Sequence, residues 1–224
     1  GDLMAVDVAG GEVKTIAATN AAESGPKFSP DGKWLLFLVS DDPPRWAGYR
    51  RLAVVPTGGG PVKLLPETFD AQPNVIDWSA DGKKIYFGET RGTVSRIYSL
   101  DVNSNAIAEL NKGNEVISGP SLNRSQTMIG FTLQTNDKAP EAYVSQVTTF
   151  SPVQVSRANA DLPKLPIGKT EVIKWKSSDG LEVEGLLTYP VNYQSGKRVP
   201  LLLIVHGGPA GVFTQSFLAG SRGV

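Results

Sequence analysis

A repeat of apolar strand pairs, separated by small polar turns, governs what this chain can fold into. The stretches PKFSPDGKWLLFLVS (Pro26–Ser40), VIDWSADGKKIYFGE (Val75–Glu89) and GPSLNRSQTMIGFTL (Gly119–Leu133) align when Phe28, Trp78 and Leu122 are superposed. The first two share Ser-x-Asp-Gly-Lys between apolar runs; Asp-Gly supplies the positive φ angles of a tight hairpin. The third reads Arg124-Ser125-Gln126 there and is the weakest copy. A second element recurs in phase: LMAVDVAGGEVKTI from Leu3, LAVVPTGGGPVKLL from Leu52, IYSLDVNSNAIAEL from Ile97 and, more faintly, AYVSQVTTFSPVQV from Ala142. Each reads as strand, turn, strand. A full unit is therefore four short strands in roughly 45 residues, the period of a β-propeller blade. Half a unit precedes Gly25 and three whole ones run to about Ala160. A β-sandwich with accidental spacing is the competing fold, and the in-phase double repeat disfavours it. Trp34, Phe37, Trp78, Tyr86, Phe87 and Phe131 are expected to pack between these sheets.

Composition narrows the function classes. Apolar residues make up 40% of the chain and charged residues 20%, enough for a packed core in a soluble protein. Lys plus Arg and Asp plus Glu both number 22, so the net charge is zero. With no basic surplus or patch, nucleic acid is not an expected partner. The absence of cysteine excludes disulfides, zinc–thiolate sites and a cysteine nucleophile. No apolar run reaches the length of a membrane span. The sequence opens at Gly1 without an initiator Met and shows no signal peptide, which leaves cytoplasmic and periplasmic locations equally open and suggests a true N-terminus upstream. No cofactor is implied. The loop Ser40–Arg50 is longer than the other connections; its Asp41 and Asp42 could reach a substrate amine, although a solvated loop is the plainer reading.

After Ala160 the pattern changes. Residues 1–160 read as the partial propeller, 161–169 as a proline-rich linker and 170–224 as a second, differently built region. Val172–Lys176 is an expected strand, Ser178-Asp179-Gly180 a turn, and the alternation from Leu181 to Tyr189 a strand with one polar side. Glu182 and Glu184 fall on one face of it, either as a paired-carboxylate site or, more simply, as a solvated face. Pro200–Val205 is apolar throughout, as a strand covered on both faces must be. His206-Gly207-Gly208-Pro209 follows at its C-terminal end, where sites form in open α/β sheets.

Acyl transfer puts negative charge on an oxygen in its transition state, and fixed backbone N–H groups stabilise it. In α/β-hydrolases one such donor comes from the loop after the third strand, in a His-Gly-Gly-Gly-type motif whose glycines let the backbone approach closely. Gly207 and Gly208 fit that role, with Pro209 stiffening the loop. His206, the sole histidine, is read as a hydrogen-bonding loop anchor rather than a base. Three other readings stay open at this level: a metal ligand, which lacks His or Cys partners; a triad histidine, which normally follows the serine and the acid; and a Gly-Gly turn without chemistry.

Together, the Asp31-Gly32 and Asp81-Gly82 turns, SSDGLEVEGLLTYP (Ser177–Pro190), VPLLLIVHGGPAG (Val199–Gly211) and FLAGSRGV (Phe217–Val224) resemble the prolyl oligopeptidase family of serine peptidases. They are most similar to its acylaminoacyl-peptidase and dipeptidyl-peptidase-like branches. The resemblance implies a partial propeller of about three and a half blades followed by the first strands of an α/β-hydrolase domain, with cleavage of short peptides, the propeller restricting entry. It implies the Gly208 N–H as an oxyanion donor, and histidine rather than tyrosine at position 206 favours the acylaminoacyl-peptidase-like branch. Gly-x-Ser-x-Gly, the triad acid and the triad histidine are absent, as is a double-glutamate motif for a free amine. The chain is therefore expected to be an internal piece of a peptidase, inactive alone. An esterase on the same scaffold and a non-enzymatic propeller binding module are the alternatives.

Overall fold

The structure is a computed structural model, and it describes residues 1–164, 166–208 and 210–219. Sixteen strands and no helix occur among them. They are β1 (Leu3–Ala5), β2 (Lys14–Ala17), β3 (Glu23–Phe28), β4 (Trp34–Ser40), β5 (Arg50–Pro56), β6 (Lys63–Leu64), β7 (Asn74–Trp78), β8 (Lys84–Arg91), β9 (Val94–Asp101), β10 (Ile107–Glu109), β11 (Val116–Leu122), β12 (Met128–Thr135), β13 (Lys138–Gln146), β14 (Val153–Gln154), β15 (Thr170–Lys176) and β16 (Glu182–Thr188). β1 and β2 form a two-stranded sheet, β15 and β16 another. Between them in sequence come three four-stranded meanders, β3-β4-β5-β6, β7-β8-β9-β10 and β11-β12-β13-β14. This is the half unit and three whole units read from the repeat: a mainly β chain of propeller blades.

The chain divides into two compact units. The first contains residues 1–89, 97–111 and 121–128; the second contains 90–96, 112–120 and 129–224. Two cores lie in the first. Leu3, Ile16 and Ala17 pack with Leu35, Phe37, Val39, Ala53 and Val55, joining β1–β2 to one face of the β3–β6 sheet. Leu36, Leu52, Val54 and Leu65 on the opposite face pack with Trp78, Ile85, Phe87, Tyr98 and Leu100. The alternation along β4 thus feeds two different cores, as a blade buried on both faces requires. In the second unit Phe131 stacks on Tyr143 and Phe150, at centroid distances of 6.3 and 5.6 Å.

The blade turns are built by side chains as much as by glycine. Ser29 Oγ donates to Asp31 Oδ1 (2.6 Å), and Asp31 accepts from the Lys33 N–H (3.1 Å). Ser79, Asp81 and Lys83 reproduce this at 2.7 and 3.1 Å. These bonds, the serine hydroxyl foremost, hold both carboxyls below the usual carboxylate range. Only the glycines, Gly32 (φ 70°) and Gly82 (φ 68°), carry positive φ, so the aspartates act as caps rather than as left-handed residues. In the third copy Asn123 Oδ1 takes the capping role, accepting from the Thr127 and Met128 N–H groups at 3.0 Å. Gln126 takes the glycine position at φ 56°.

Two expectations are corrected. Phe37, Trp78, Tyr86, Phe87 and Phe131 are buried, but Trp34 is 41% exposed. It opens β4 and stands at the last rung of the pairing with β5, opposite Pro56, so it has sheet neighbours on one side only along the strand. Pro200–Val205 is not a covered strand: it pairs with no strand among the described residues, and Leu201 and Val205 are 78% and 80% exposed. An apolar run is covered only where sheet neighbours flank it on both sides, and the described residues supply none.

Candidate functional site

The hairpin that leads into the site is regular. β15 and β16 pair antiparallel from Thr170↔Thr188 to Lys176↔Glu182. Its turn repeats the blade device: Ser177 Oγ donates to Asp179, which accepts from the Leu181 N–H (3.2 Å). Gly185 lies under the Trp175 ring, where a Cβ would come within 3.1 Å of it. Glu182 and Glu184 share a face, and both contact Lys174 Nζ, at 2.8 and 2.7 Å. Their hydrogen bonds raise the lysine pKa. The pair is thus an ion-paired surface cluster, with Lys174 between the carboxylates.

Beyond the unpaired 199–205 segment, Gly207 and Gly208 come close to Gly211. Gly208 has φ 139°, and a Cβ on it would lie 2.8 Å from the Gly211 nitrogen, so no other residue fits without moving the backbone. Gly211 is equally constrained: its Cβ would fall 2.5 Å from the Gly207 oxygen and 3.3 Å from His206 Nδ1. The His206 ring meets Phe213 edge-on at 5.7 Å and 77°, and Nδ1 lies 3.2 Å from the Gly207 oxygen. The Gly207 and Gly208 N–H groups donate to no described residue. Pro209 lies outside the described residues. His206, Gly207 and Gly208 are all solvent-exposed.

The segment after this loop is fastened by contacts that the sequence does not announce. Within the second unit, Gln215 N donates to the Thr93 oxygen (2.8 Å) and Gln215 Nε2 to Thr93 Oγ1 (3.0 Å). Phe217 N donates to Gln134 Oε1 and Leu218 N to the Asn136 oxygen, both at 3.1 Å. With its amide nitrogen turned toward acceptors, Asn136 donates to the main-chain oxygens of Gln215 and Ser216, at 3.3 and 3.2 Å. Thr93 and Asn136 lie in the connections joining the two middle strands of their sheets. The blade repeat gives those connections; only the fold shows that they grip residues 215–218. Phe217–Ala219 are not helical, and the rest of the FLAGSRGV match, Gly220–Val224, lies outside the described residues.

Asp41 is already engaged. Its Oδ2 accepts from Arg45 Nε (2.8 Å), Arg45 Nη2 (2.7 Å) and the Tyr49 N–H (3.1 Å). It clamps its own loop through that oxygen. No group of three or more His, Cys, Asp or Glu side chains is arranged to hold a metal among the described residues, and no described helix is long and apolar enough to cross a membrane.

No family model matches the chain. It is similar to Dipeptidyl-peptidase 5 of Trichophyton equinum, 24% identical over 211 residues, covering 91% of this chain and 29% of that protein. Against Dipeptidyl-peptidase 5 of Porphyromonas gingivalis the identity is 24% over 191 residues, covering 85% and 28%. The chain thus spans less than a third of the length of these relatives. Among solved structures, the acylaminoacyl peptidase of Pyrococcus horikoshii superposes with a TM-score of 0.66 at 20% identity, over 92% of this chain and 31% of that one. A Mycobacterium tuberculosis puromycin-hydrolyzing peptidase superposes with a TM-score of 0.65 at 16% identity, over 96% and 34%. Sequence likeness to the dipeptidyl-peptidase 5 proteins and fold likeness to acylaminoacyl peptidase bear out the resemblance to the prolyl oligopeptidase family that the blade turns and the His206 motif carry.

Proposed function

We propose that this chain is the propeller-to-hydrolase portion of a serine-type peptidase that cleaves short peptides by acyl transfer. Residues 1–160 supply blades that restrict substrate entry, 161–169 the linker, and 170–224 the beginning of the hydrolase region. The Gly208 N–H is the oxyanion donor, Gly207 gives the loop its close approach, and His206 anchors it against Phe213 and Gly211. The observation that carries this reading is the Gly208 backbone itself. It is held at φ 139° in a turn that admits only glycine, with its N–H uncommitted among the described residues. An oxyanion site needs this combination of fixed geometry and a free donor. The sequence contains no Gly-x-Ser-x-Gly, so the proposal assigns nucleophile, acid and base to polypeptide outside these 224 residues, and the chain alone is inactive.

The test uses the complete protein that contains this chain, assayed with acylaminoacyl and dipeptidyl p-nitroanilides and the matching esters. Turnover of the amides, abolished by a serine-directed fluorophosphonate, is expected. Turnover of esters alone would transfer the reading to an esterase, and no labelling at all would refute acyl transfer. Proline at 208 would distort the turn, so the donor is better removed by an amide-to-ester backbone substitution at Gly208. That change should lower kcat about 10²–10³-fold with a smaller effect on KM.

A further inference from the structure

The connection between β4 and β5 differs from its counterparts. Residues 41–49 join these middle strands, whereas Gly92-Thr93 and Asn136-Asp137 suffice in the next two sheets. The extra length is clamped from within. Asp41 holds Arg45 and the Tyr49 N–H, the Gly48 N–H donates to the Arg45 oxygen (3.1 Å), and Gln72 Nε2 bonds the Gly48 oxygen from outside the loop. Gly48 leaves no room for a side chain, since a Cβ would lie 2.4 Å from Asp41 Oδ2. A loop so fixed still exposes two aromatic residues, Tyr49 and Trp46, the latter 85% exposed. Loops longer than their structural task, held rigid and presenting Trp and Tyr, are built for contact.

Behind them is a cavity of about 280 Å³, wholly within the first unit, whose lining includes Ser24, Arg45, Trp46, Tyr49, Arg50 and Gln72. Its charges do not cancel. Arg45 is neutralised by Asp41, while Arg50 has no carboxylate within ion-pair distance among the described residues. The cavity therefore offers one unspent guanidinium beside an indole and a phenol ring. A guanidinium pairs a carboxylate in two parallel hydrogen bonds. A phosphate, with nearly two charges, would leave one uncompensated beside the Asp41 carboxylate. The volume is slightly below the usual range for ligand sites and suits a single residue rather than a peptide segment.

We propose that this cavity binds the C-terminal residue of a peptide ending in an aromatic side chain, with Arg50 pairing the α-carboxylate and Trp46 and Tyr49 covering the ring. The site is independent of the His206 loop and of any peptidase activity. Calorimetric titration of the complete protein that contains this chain, pretreated with a fluorophosphonate, with N-acetyl-glycyl-phenylalanine is the test, the probe being recovered and shown intact by chromatography. Binding is expected to weaken at least about tenfold for the C-terminal amide, for N-acetyl-glycyl-glycine, and in Arg50→Gln, since each loses a charged hydrogen-bonded pair or the aromatic contact. Arg157→Gln removes an equal charge from a separate cavity lined by Gln154–Arg157 and should leave binding unchanged. Trp46→Ala, a surface change unable to disturb the core, should weaken binding comparably. Absence of binding, equal affinity for acid and amide, or equal affinity for N-acetyl-phenylalanyl-glutamate amide, whose charge sits on a side chain, overturns the assignment. So does an equal loss in Arg157→Gln.

Discussion

The third blade turn keeps the shape of the other two while lacking their glycine, and its cost can be worked out. Gln126 sits at φ 56° where Gly82 sits at 68°. A left-handed backbone costs an L-residue about 1–2 kcal/mol. Replacing it by glycine relieves that cost but frees the unfolded chain, which returns roughly 0.4–1 kcal/mol. Gln126→Gly should therefore stabilise by about 0.7 kcal/mol. The bond from the Gln126 N–H to the Asn123 oxygen (2.9 Å) belongs to the main chain, and the side chain makes no hydrogen bond to a described residue. Gly82→Ala is the mirror experiment. Its new Cβ meets only Pro30 Cδ at 3.7 Å, an ordinary contact, so the conformational terms act alone and about 0.7 kcal/mol should be lost. Urea denaturation should show the midpoint moving by about 0.3 M in opposite directions at constant m. A lower midpoint for Gln126→Gly, or shifts of the same sign in both variants, would refute the reasoning.

Three further outcomes are expected. Glu89 is buried and accepts from Thr68 Oγ1, the Asp70 N–H and the Gln72 N–H, so Glu89→Ala should cost about 2–4 kcal/mol and raise hydrogen exchange across 68–72, measured by mass spectrometry. The carboxyls of Asp31, Asp81 and Asp179 are held below their unfolded values by serine hydroxyls and N–H groups. Their contribution is present above about pH 4 and is lost as pH falls through the lower folded values; a Ser29→Ala, Ser79→Ala double variant should flatten that acid limb in pH-dependent melts. Leu201, Leu203 and Val205 form an exposed apolar run, so the chain expressed alone should self-associate at micromolar concentration, and Leu203→Lys should shift it toward monomer in light scattering.

What the sequence discloses here depends on the range over which each residue acts. The blades are legible because each turn is closed by neighbours: Ser29, Asp31 and Lys33 bond one another within four positions, and so do Ser79, Asp81 and Lys83. The hairpin of β15 and β16 is legible for the same reason. Burial is less so, because it depends on which sheet lies opposite. Phe28 and Trp78 occupy one repeat position, yet Phe28 is 65% exposed and Trp78 is sealed in the second core. The sheet before Phe28 in the chain has two strands, where the one before Trp78 has four. The same dependence explains Pro200–Val205, whose composition states what the segment needs and not whether neighbours are there. The candidate site is mixed in this respect. Gly208 can be picked out because its constraint is local, a positive φ and a close approach to Gly211 three residues on. The grip of Thr93, Gln134 and Asn136 on residues 215–218 spans about 80 to 120 positions and rests on amides and a threonine that carry no motif. Such contacts fasten the segment that follows the candidate loop, so its attachment to the blades is the part least visible in sequence.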